Sequence, residues 1–577
     1  MRKKKGDFIS PFSVIYMEKE KQVELLHKTI NGVLKAFANS IKDGSDFIPV
    51  DSYVPENFYK GTEKFLKNPS KNGKWSLGYA NVNLTPVDYA KRAYYMGGYI
   101  SPDNKFKNLI EEVIDDMQGR AIALDDGSGR GVSVFCTIDC IGTTNGDIRV
   151  IRKMFKEKFE KLFPEKKIAS INVFSTHAHS CVDTEGLWTD FPGKLFRNLK
   201  RKYTGKGVLE RGADEQYMRF LCDGVSDALI KAVADMCEGE LTVAQKDITE
   251  DYFKNKNRPS APSVVTDITR LTFTPDDKSK TPTIIVNLPA HPDVAGLPVG
   301  DEEGSGRRLC GEYVHYMGEI INKAGYNFMF FNGAICAIYM DCNVTNDGVK
   351  LNHRYEMSVR FGREIGRITL ALTKTLDEIK KDKLLYDEKE IAEESANAAQ
   401  NGGEYTLWCK DWEPVQEKKV KPLLNIRLKE VKIPIKNALM AAAGKLKLAN
   451  FKVLVEGKQE YAVYSEIGYL ELGKELKICM VPGEFCCDLL TGGASLYADG
   501  SVNKTDFGIP SLREVFGEDT MVFGLANDAI GYIVPDNDYT MGDPMNHYHE
   551  LVSLGCKTGS SVMNGFVEMA KELGFKE

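Results

Sequence analysis

The chain has 577 residues, more than one compact core usually spans, with 42% apolar and 27% charged residues and a net charge of −6. That balance is ordinary for a soluble globular protein. The one basic block, Arg2-Lys3-Lys4-Lys5, is too short to argue for nucleic acid, and no run approaches 18 uninterrupted apolar residues, so no membrane-spanning helix is expected.

In chain order, the apolar stretch 8–17 is broken by Pro11, lacks a small-residue cleavage pattern and ends in the charged run 18–21, which argues against a secretory leader. The thirteen cysteines are odd in number and lie mostly in apolar, strand-like settings such as Cys136, Cys140 and Cys479. Reduced thiols and a cytoplasmic location are the expectation. Residues 18–42 read as an amphipathic helix, with Val23, Leu26, Ile30, Val33, Leu34, Phe37 and Ile41 at the 3.6 period. A loop-rich stretch follows at 43–75, so 1–75 is expected to be an N-terminal helical and loop extension to a main domain at 76–577. Strands are expected at 77–84, 121–124, 132–138, 168–174, 264–274, 283–288 and 327–331. Helices are expected at 104–117, 144–162, 214–237, 307–324 and 355–382. This alternation predicts an α/β fold, a mixed β-sheet core flanked by helices. Between 383 and 475 the texture changes to a charged helix at 387–399 and half-polar strands at 424–431, 462–464 and 467–472. That stretch is expected to be an inserted or peripheral sheet-rich subdomain.

Candidate chemistry gathers at strand ends. There are eight histidines, and two of them sit in Ser175-Thr176-His177-Ala178-His179-Ser180, directly after the apolar run 168–174. A strand ending in two imidazoles suits a metal or catalytic site; one core and one surface histidine is the plain alternative. A second apolar strand runs into Ala290-His291-Pro292, and a third into Val481-Pro482-Gly483-Glu484-Phe485, where the Pro-Gly turn would expose the carboxylate. Catalytic zinc sites take three or four N and O ligands of these kinds. Cys486 and Cys487 follow Glu484, but neighbours on a strand face opposite ways, and both cannot easily hold one ion.

These motifs, in this order, resemble the catalytic domain of the neutral, non-lysosomal ceramidase family over about residues 76–572. Gly78 to Pro86 is similar to its G-x-A-x-x-x-x-T-P segment, and Arg120 to Asp126 and Ile138-Asp139 to its next two strands. Residues 175–180 resemble T-H-T-H-S-G-P, Asn257-Arg258-Pro259 resembles N-R-S-P, and Ala290-His291-Pro292 resembles A-x-H-P. Residues 482–485 repeat P-G-E-F unchanged. Gly524 to Tyr539 resembles G-x-x-N-x-x-x-x-Y-x-x-x-x-x-x-Y, followed by a tyrosine–glycine segment at 548–555. The resemblance implies one Zn2+ held by His177, His291, Glu484 and Tyr532, with His179, Arg258 and Tyr548 acting on the substrate or the developing oxyanion. The reaction implied is hydrolysis of an N-acyl amide, ceramide-like or of another acylated amine, by metal-activated water.

Three departures qualify it. Where the family has G-D-x-S-P, this chain has Gly333-Ala334-Ile335-Cys336-Ala337, so Cys336 replaces a serine, either as a nucleophile or as a buried residue. Cys181-Val182 replaces Gly-Pro at the pocket mouth. The family's C-terminal immunoglobulin-like domain and secretory leader are expected to have no counterpart, which calls for an intracellular or imported substrate. Trp188, Phe191 and the loop 293–304, with Asp301, Glu302 and Glu303, are the expected pocket wall. The competing readings are a zinc hydrolase of an ester or glycan-derived substrate and a non-catalytic ligand-binding relative. A metallo-β-lactamase-like site lacks the H-x-H-x-D-H spacing, and a TIM barrel fits the sheet-rich 383–475 region poorly.

Overall fold

The computed structural model describes residues 29, 31–44, 47–98, 108–248, 252–255, 264–295, 306–336, 338–340, 354–493, 505–539 and 548–575. Two mixed sheets form its centre. Among the described residues the larger has nine strands. Its main order runs Asn327–Phe331, Thr283–Asn287, Asp267–Pro275, Cys237–Asp247, Trp75–Asn83, Gln118–Asp125, Val132–Ile138 and Ile168–Ser175, with Lys418–Val420 also pairing to Cys237–Asp247. Only the outermost pairs, 327–331 with 283–287 and 132–138 with 168–175, are parallel. The second sheet runs Leu424–Pro434, Glu460–Leu472, Leu476–Met480 and Thr520–Phe523, with Leu454–Gly457 also paired to 460–472.

The period-2 alternation of the strands explains why the sheets stack. Ile122, Leu124, Phe135, Phe174, Ile285, Met329 and Phe331 point from the large sheet into one cluster with Leu424, Ile426, Leu428, Leu470, Ile478, Met480 and Phe523 of the second. The alternate residues Ala121, Ala123, Val134, Cys136, Ile171 and Val173 face the helices Asn145–Leu162 and Glu215–Asp235. At the other end, Ile284, Val286, Phe328 and Phe330 meet helices Glu312–Lys323 and Arg354–Ala371. The back of the second sheet is covered by Thr558–Leu573 through Val562, Met563, Phe566 and Met569. The layers are therefore helix, sheet, sheet, helix, an α/β fold with a mixed sheet core. This arrangement is no TIM barrel.

The strands expected as part of an excursion at 383–475 make one sheet with 476–480 and 520–523, the two strands that lead to Glu484 and Tyr532. The described residues before 75 lie against this part of the fold. Ala38 and Ile41 pack on Leu446 and Leu448, the buried Lys445 ammonium donates to the carbonyls of Ala38 and Ile41, and Gly61 bridges to Arg427. Three expected helices change. Within 104–117, Ile110–Val113 is a strand parallel to Arg307–Leu309, so the next helix begins at Glu312 rather than at 307. The apolar spacing there serves a short edge ribbon with Ile110 and Leu309 buried. The helix expected over 355–382 stops at Ala371 and restarts at Leu376, because Thr375 and Glu378 form a capping box.

One buried ion pair ties the layers together. Arg152, on the helix 145–162, donates to the Ile171 carbonyl of the large sheet and, through both terminal nitrogens, to Glu466 of the second sheet at 2.7 and 2.8 Å. Both side chains are 0% exposed. Removing Arg152 takes the bidentate partner from a fully buried carboxylate and leaves it the Asn145 amide at 3.1 Å and the Arg149 guanidinium at 3.5 Å. Arg152→Ala is therefore expected to cost about 3–5 kcal/mol in urea unfolding, while the double change Arg152→Met with Glu466→Leu costs much less.

Candidate metal centre

The carboxyl ends of strands from both sheets converge on one rim, the place where open α/β sheets present ligands. His177 follows 168–175, His291 follows 283–287, Glu484 follows 476–480, and the loop after 520–523 leads to Tyr532. Backbone bonds lock these ends. Ser175 N–H donates to Leu525 O and Asn527 N–H to Val173 O, while Asn527 Oδ1 accepts from Val173 N–H. Asn332 Nδ2 donates to Thr176 O and Asn332 O accepts from Gly524 N–H. Gly483 permits a close approach: a Cβ there would lie 2.3 Å from the Gly531 carbonyl oxygen. Glu484 N–H donates to that same carbonyl at 3.1 Å, and Glu484 pairs with Tyr532 in parallel register.

The three histidines are set in one orientation. Nδ1 of His177 lies 2.7 Å from Ile141 O, Nδ1 of His291 3.0 Å from Ile338 O, and Nδ1 of His179 3.2 Å from Gly98 O. A carbonyl accepts only, so each Nδ1 carries the proton and each Nε2 is left to face the centre. His177 Nε2 stands 3.1 Å from His179 Nε2, and Glu484 Oε2 stands 2.9 Å from His291 Nε2 and 3.3 Å from His177 Nε2. One nitrogen from each histidine falls within 4.8 Å of the others. His291 is fully buried and stacks on Tyr339 at 4.7 Å. His177 is buried, with φ of +68°, a left-handed backbone that costs a non-glycine residue on the order of 1–3 kcal/mol and persists only where the surroundings impose it.

The electrostatics match this packing. Burial alone would raise the Glu484 carboxyl, but the facing imidazoles of His177 and His291 outweigh it and hold it well below the usual range. Burial would lower His291; the hydrogen bond and charge of Glu484 reverse that and raise it. His179, half-buried, is pushed well below its ordinary value by desolvation and by the neighbouring His177 and His291, so it is neutral at pH 7. Two or three convergent imidazole nitrogens and one ionised carboxylate oxygen are a donor set that fits a divalent ion of borderline softness such as zinc.

Of the residues singled out in the sequence, His177, His179, His291 and Glu484 come together. Tyr532 is buried on the strand beside Glu484. Cys336 is buried, its N–H donates to Phe485 O, and its sulfur lies 3.5 Å from Cys486 Sγ. Tyr548 opens the short turn Tyr548–Val552. Arg258 and the acidic residues Asp301, Glu302 and Glu303 lie outside the described residues. Trp188 is held by its N–H on Asp183, whose carboxylate also takes the N–H groups of Glu185 and Gly186, and Phe191 begins the helix Phe191–Thr204. Motif reading missed the three carbonyls that set the tautomers, since a backbone acceptor leaves no mark on residue type. It also missed Asn332 and Asn527, whose buried side chains clamp the strand ends; Asn527 was visible only as part of a glycine–asparagine pattern.

No protein-family model and no curated protein matches the chain. Among solved structures it is similar to neutral ceramidase from Pseudomonas aeruginosa, at a TM-score of 0.54 and 13% identity over 87% of this chain and 75% of that one. It is also similar to a ceramidase complexed with C2, at a TM-score of 0.51 and 12% identity over 88% and 77%. At such identity the finding concerns architecture: the chain has a ceramidase-like fold.

The Glu484 contact generates a test in the metal-free protein. NMR titration of His291 is expected to give a pKa above the ordinary histidine value, and Glu484→Gln to lower it, because the largest contribution opposing burial is then removed and only the smaller ones of Asp293 and the Ile338 carbonyl remain. A proton held on His291 stabilises the folded chain below the unfolded histidine pKa and is lost as pH rises through the raised folded value.

Proposed function

We propose that this chain is a zinc-dependent hydrolase that cleaves an N-acyl amide, ceramide-like or of another acylated amine. The observation that carries the reading is the meeting of His177, His291 and Glu484, with His179 alongside, at the converging strand ends of a ceramidase-like fold. His177, His291, Glu484 and Tyr532 are the residues that would hold the ion. When bound, zinc supplies a water of lowered pKa and a Lewis acid for the scissile carbonyl.

The chain's own groups complete the chemistry. His179 is neutral and fixed by Gly98, so its Nε2 lone pair can take the proton of the attacking water and return it to the leaving amine nitrogen. Arg258 and Tyr548 are assigned to the developing oxyanion, as hydrogen-bond donors. Cys336, packed against Cys486, is assigned to the wall behind Glu484, with nucleophilic attack by its sulfur as the alternative that Cys336→Ala decides. That variant is expected to keep amidase activity; its loss would make the thiol the nucleophile.

Elemental analysis of the purified protein is expected to give about one zinc per chain, lost in His291→Ala. Hydrolysis of a panel of N-acyl amides is expected to fall at least ~10²-fold in that variant, since even outer partners of metal ligands are worth 10–100-fold. A zinc-free native protein that stays inert after zinc is supplied would remove the hydrolase reading. Activity on esters alone would keep the metal and change the substrate.

A further inference from the structure

The two histidine-bearing turns are joined by a residue pair that no motif contains. Glu312 and Tyr313 open the helix Glu312–Lys323, and both are fully buried. Oε1 of Glu312 accepts from Ser180 Oγ at 2.5 Å, the residue after His179. Oε2 accepts from the N–H groups of Val294 and Ala295, at 3.2 and 2.9 Å, in the turn that leaves His291. Ser358 Oγ, from the helix Arg354–Ala371, adds a fourth donor at 3.1 Å. The Tyr313 hydroxyl donates to the carbonyl of Ala290, the residue before His291, at 2.9 Å. The turns also touch each other directly, since His179 N–H donates to Pro292 O, and the residues before Glu312 join them, since Cys310 N–H donates to Ser180 O.

Two further facts mark this as more than packing. Glu312 has φ of +55°, the left-handed region where a glutamate is strained, and such strain persists where the surroundings over-determine it, commonly at sites. Burial, with the negative charge of Asp293 adding to it, pushes this carboxyl up to about 7, against the opposing hydrogen bonds from Ser180, Ala295 and Ser358. A core built for stability alone would place an apolar residue here.

We infer that Glu312, seconded by Tyr313, is a positioning residue of the metal centre: it fixes the separation of the 177–180 and 290–295 turns and so the convergence of His177, His179 and His291. This rests on the metal reading proposed above. Outer partners of this kind are typically worth 10–100-fold in metal affinity or activity.

The test measures zinc affinity by chelator competition and the visible spectrum of the cobalt-substituted full-length protein. Because Glu312→Ala removes every acceptor and can prevent folding, Ser180→Ala and Tyr313→Phe, which each delete one hydroxyl, carry the comparison, with Glu312→Gln as the conservative variant. In Gln the shape is kept and the Ser180 hydroxyl can turn to accept. Ser180→Ala and Tyr313→Phe are each expected to weaken zinc about tenfold and to shift the cobalt bands while the metal-free melting profile stays close to native. Glu312→Gln is expected to stay within a few-fold of native. Native affinity and an unchanged cobalt spectrum in both hydroxyl deletions would overturn the positioning role and leave the metal site standing. A native protein that binds neither ion would overturn the metal reading and this inference with it.

Discussion

The contact between Glu484 Oε2 and the Nε2 atoms of His177 and His291 is the constraint around which the rest is arranged. An ionised carboxylate is costly to bury unless it is paired. Here the three groups come from segments far apart in the sequence, so the contact can exist only after both sheets have formed and met. The backbone clamps follow from it. Asn527, Asn332 and the close approach at Gly483 hold the strand ends at the spacing the side chains require. The left-handed turn at His177 is tolerated for the same reason.

That spacing is underwritten by the sheet interface. Phe174, Phe331 and Phe523 come from strands that feed the site. Phe331 stacks on Phe523 at 4.2 Å, and Phe174 meets Phe331 edge-on at 4.8 Å. Asn287, on the strand before His291, donates to carbonyls at 331, 332 and 522, crossing the same gap. A close-packed aromatic layer does not slide, because its neighbours fill the space into which it would move. The two sheets are thus fixed relative to each other directly beneath the imidazoles. The Arg152–Glu466 pair fixes them again at the 168–175 edge.

Much of the site was legible because its residues follow apolar strands. The runs before His177, His291 and Glu484 are short and β-branched, and period and length identify them without long-range information. The fold class was legible from alternation. The sandwich was not: the strands at 424–434 and 460–472 alternate polar and apolar residues as a one-sided sheet does, and nothing local says that the apolar side meets a second sheet. The ribbon at Ile110–Val113 was hidden because its few apolar residues fit a helical spacing equally well. Glu312 was hidden for a deeper reason. Its meaning lies in a backbone conformation and in four donors from three other segments, none of which is encoded next to it.

The surroundings of the histidines carry a further bias. Glu185 is pushed well above the usual carboxyl value by burial and then by Asp183, Glu484 and Asp528. Asp528 is pushed up to about 6 by burial, with Glu466 adding to it. Asp293 raises both His291 and Glu312. The neighbouring carboxylates thus act on Glu185, Asp528, Glu312 and His291 with negative charge, while the imidazoles act with the opposite sign on Glu484 and His179. The group at the centre that favours a cation is therefore the ionised Glu484 carboxylate, whose Oε2 stands 2.9 and 3.3 Å from the Nε2 atoms of His291 and His177, where a divalent ion would add its charge.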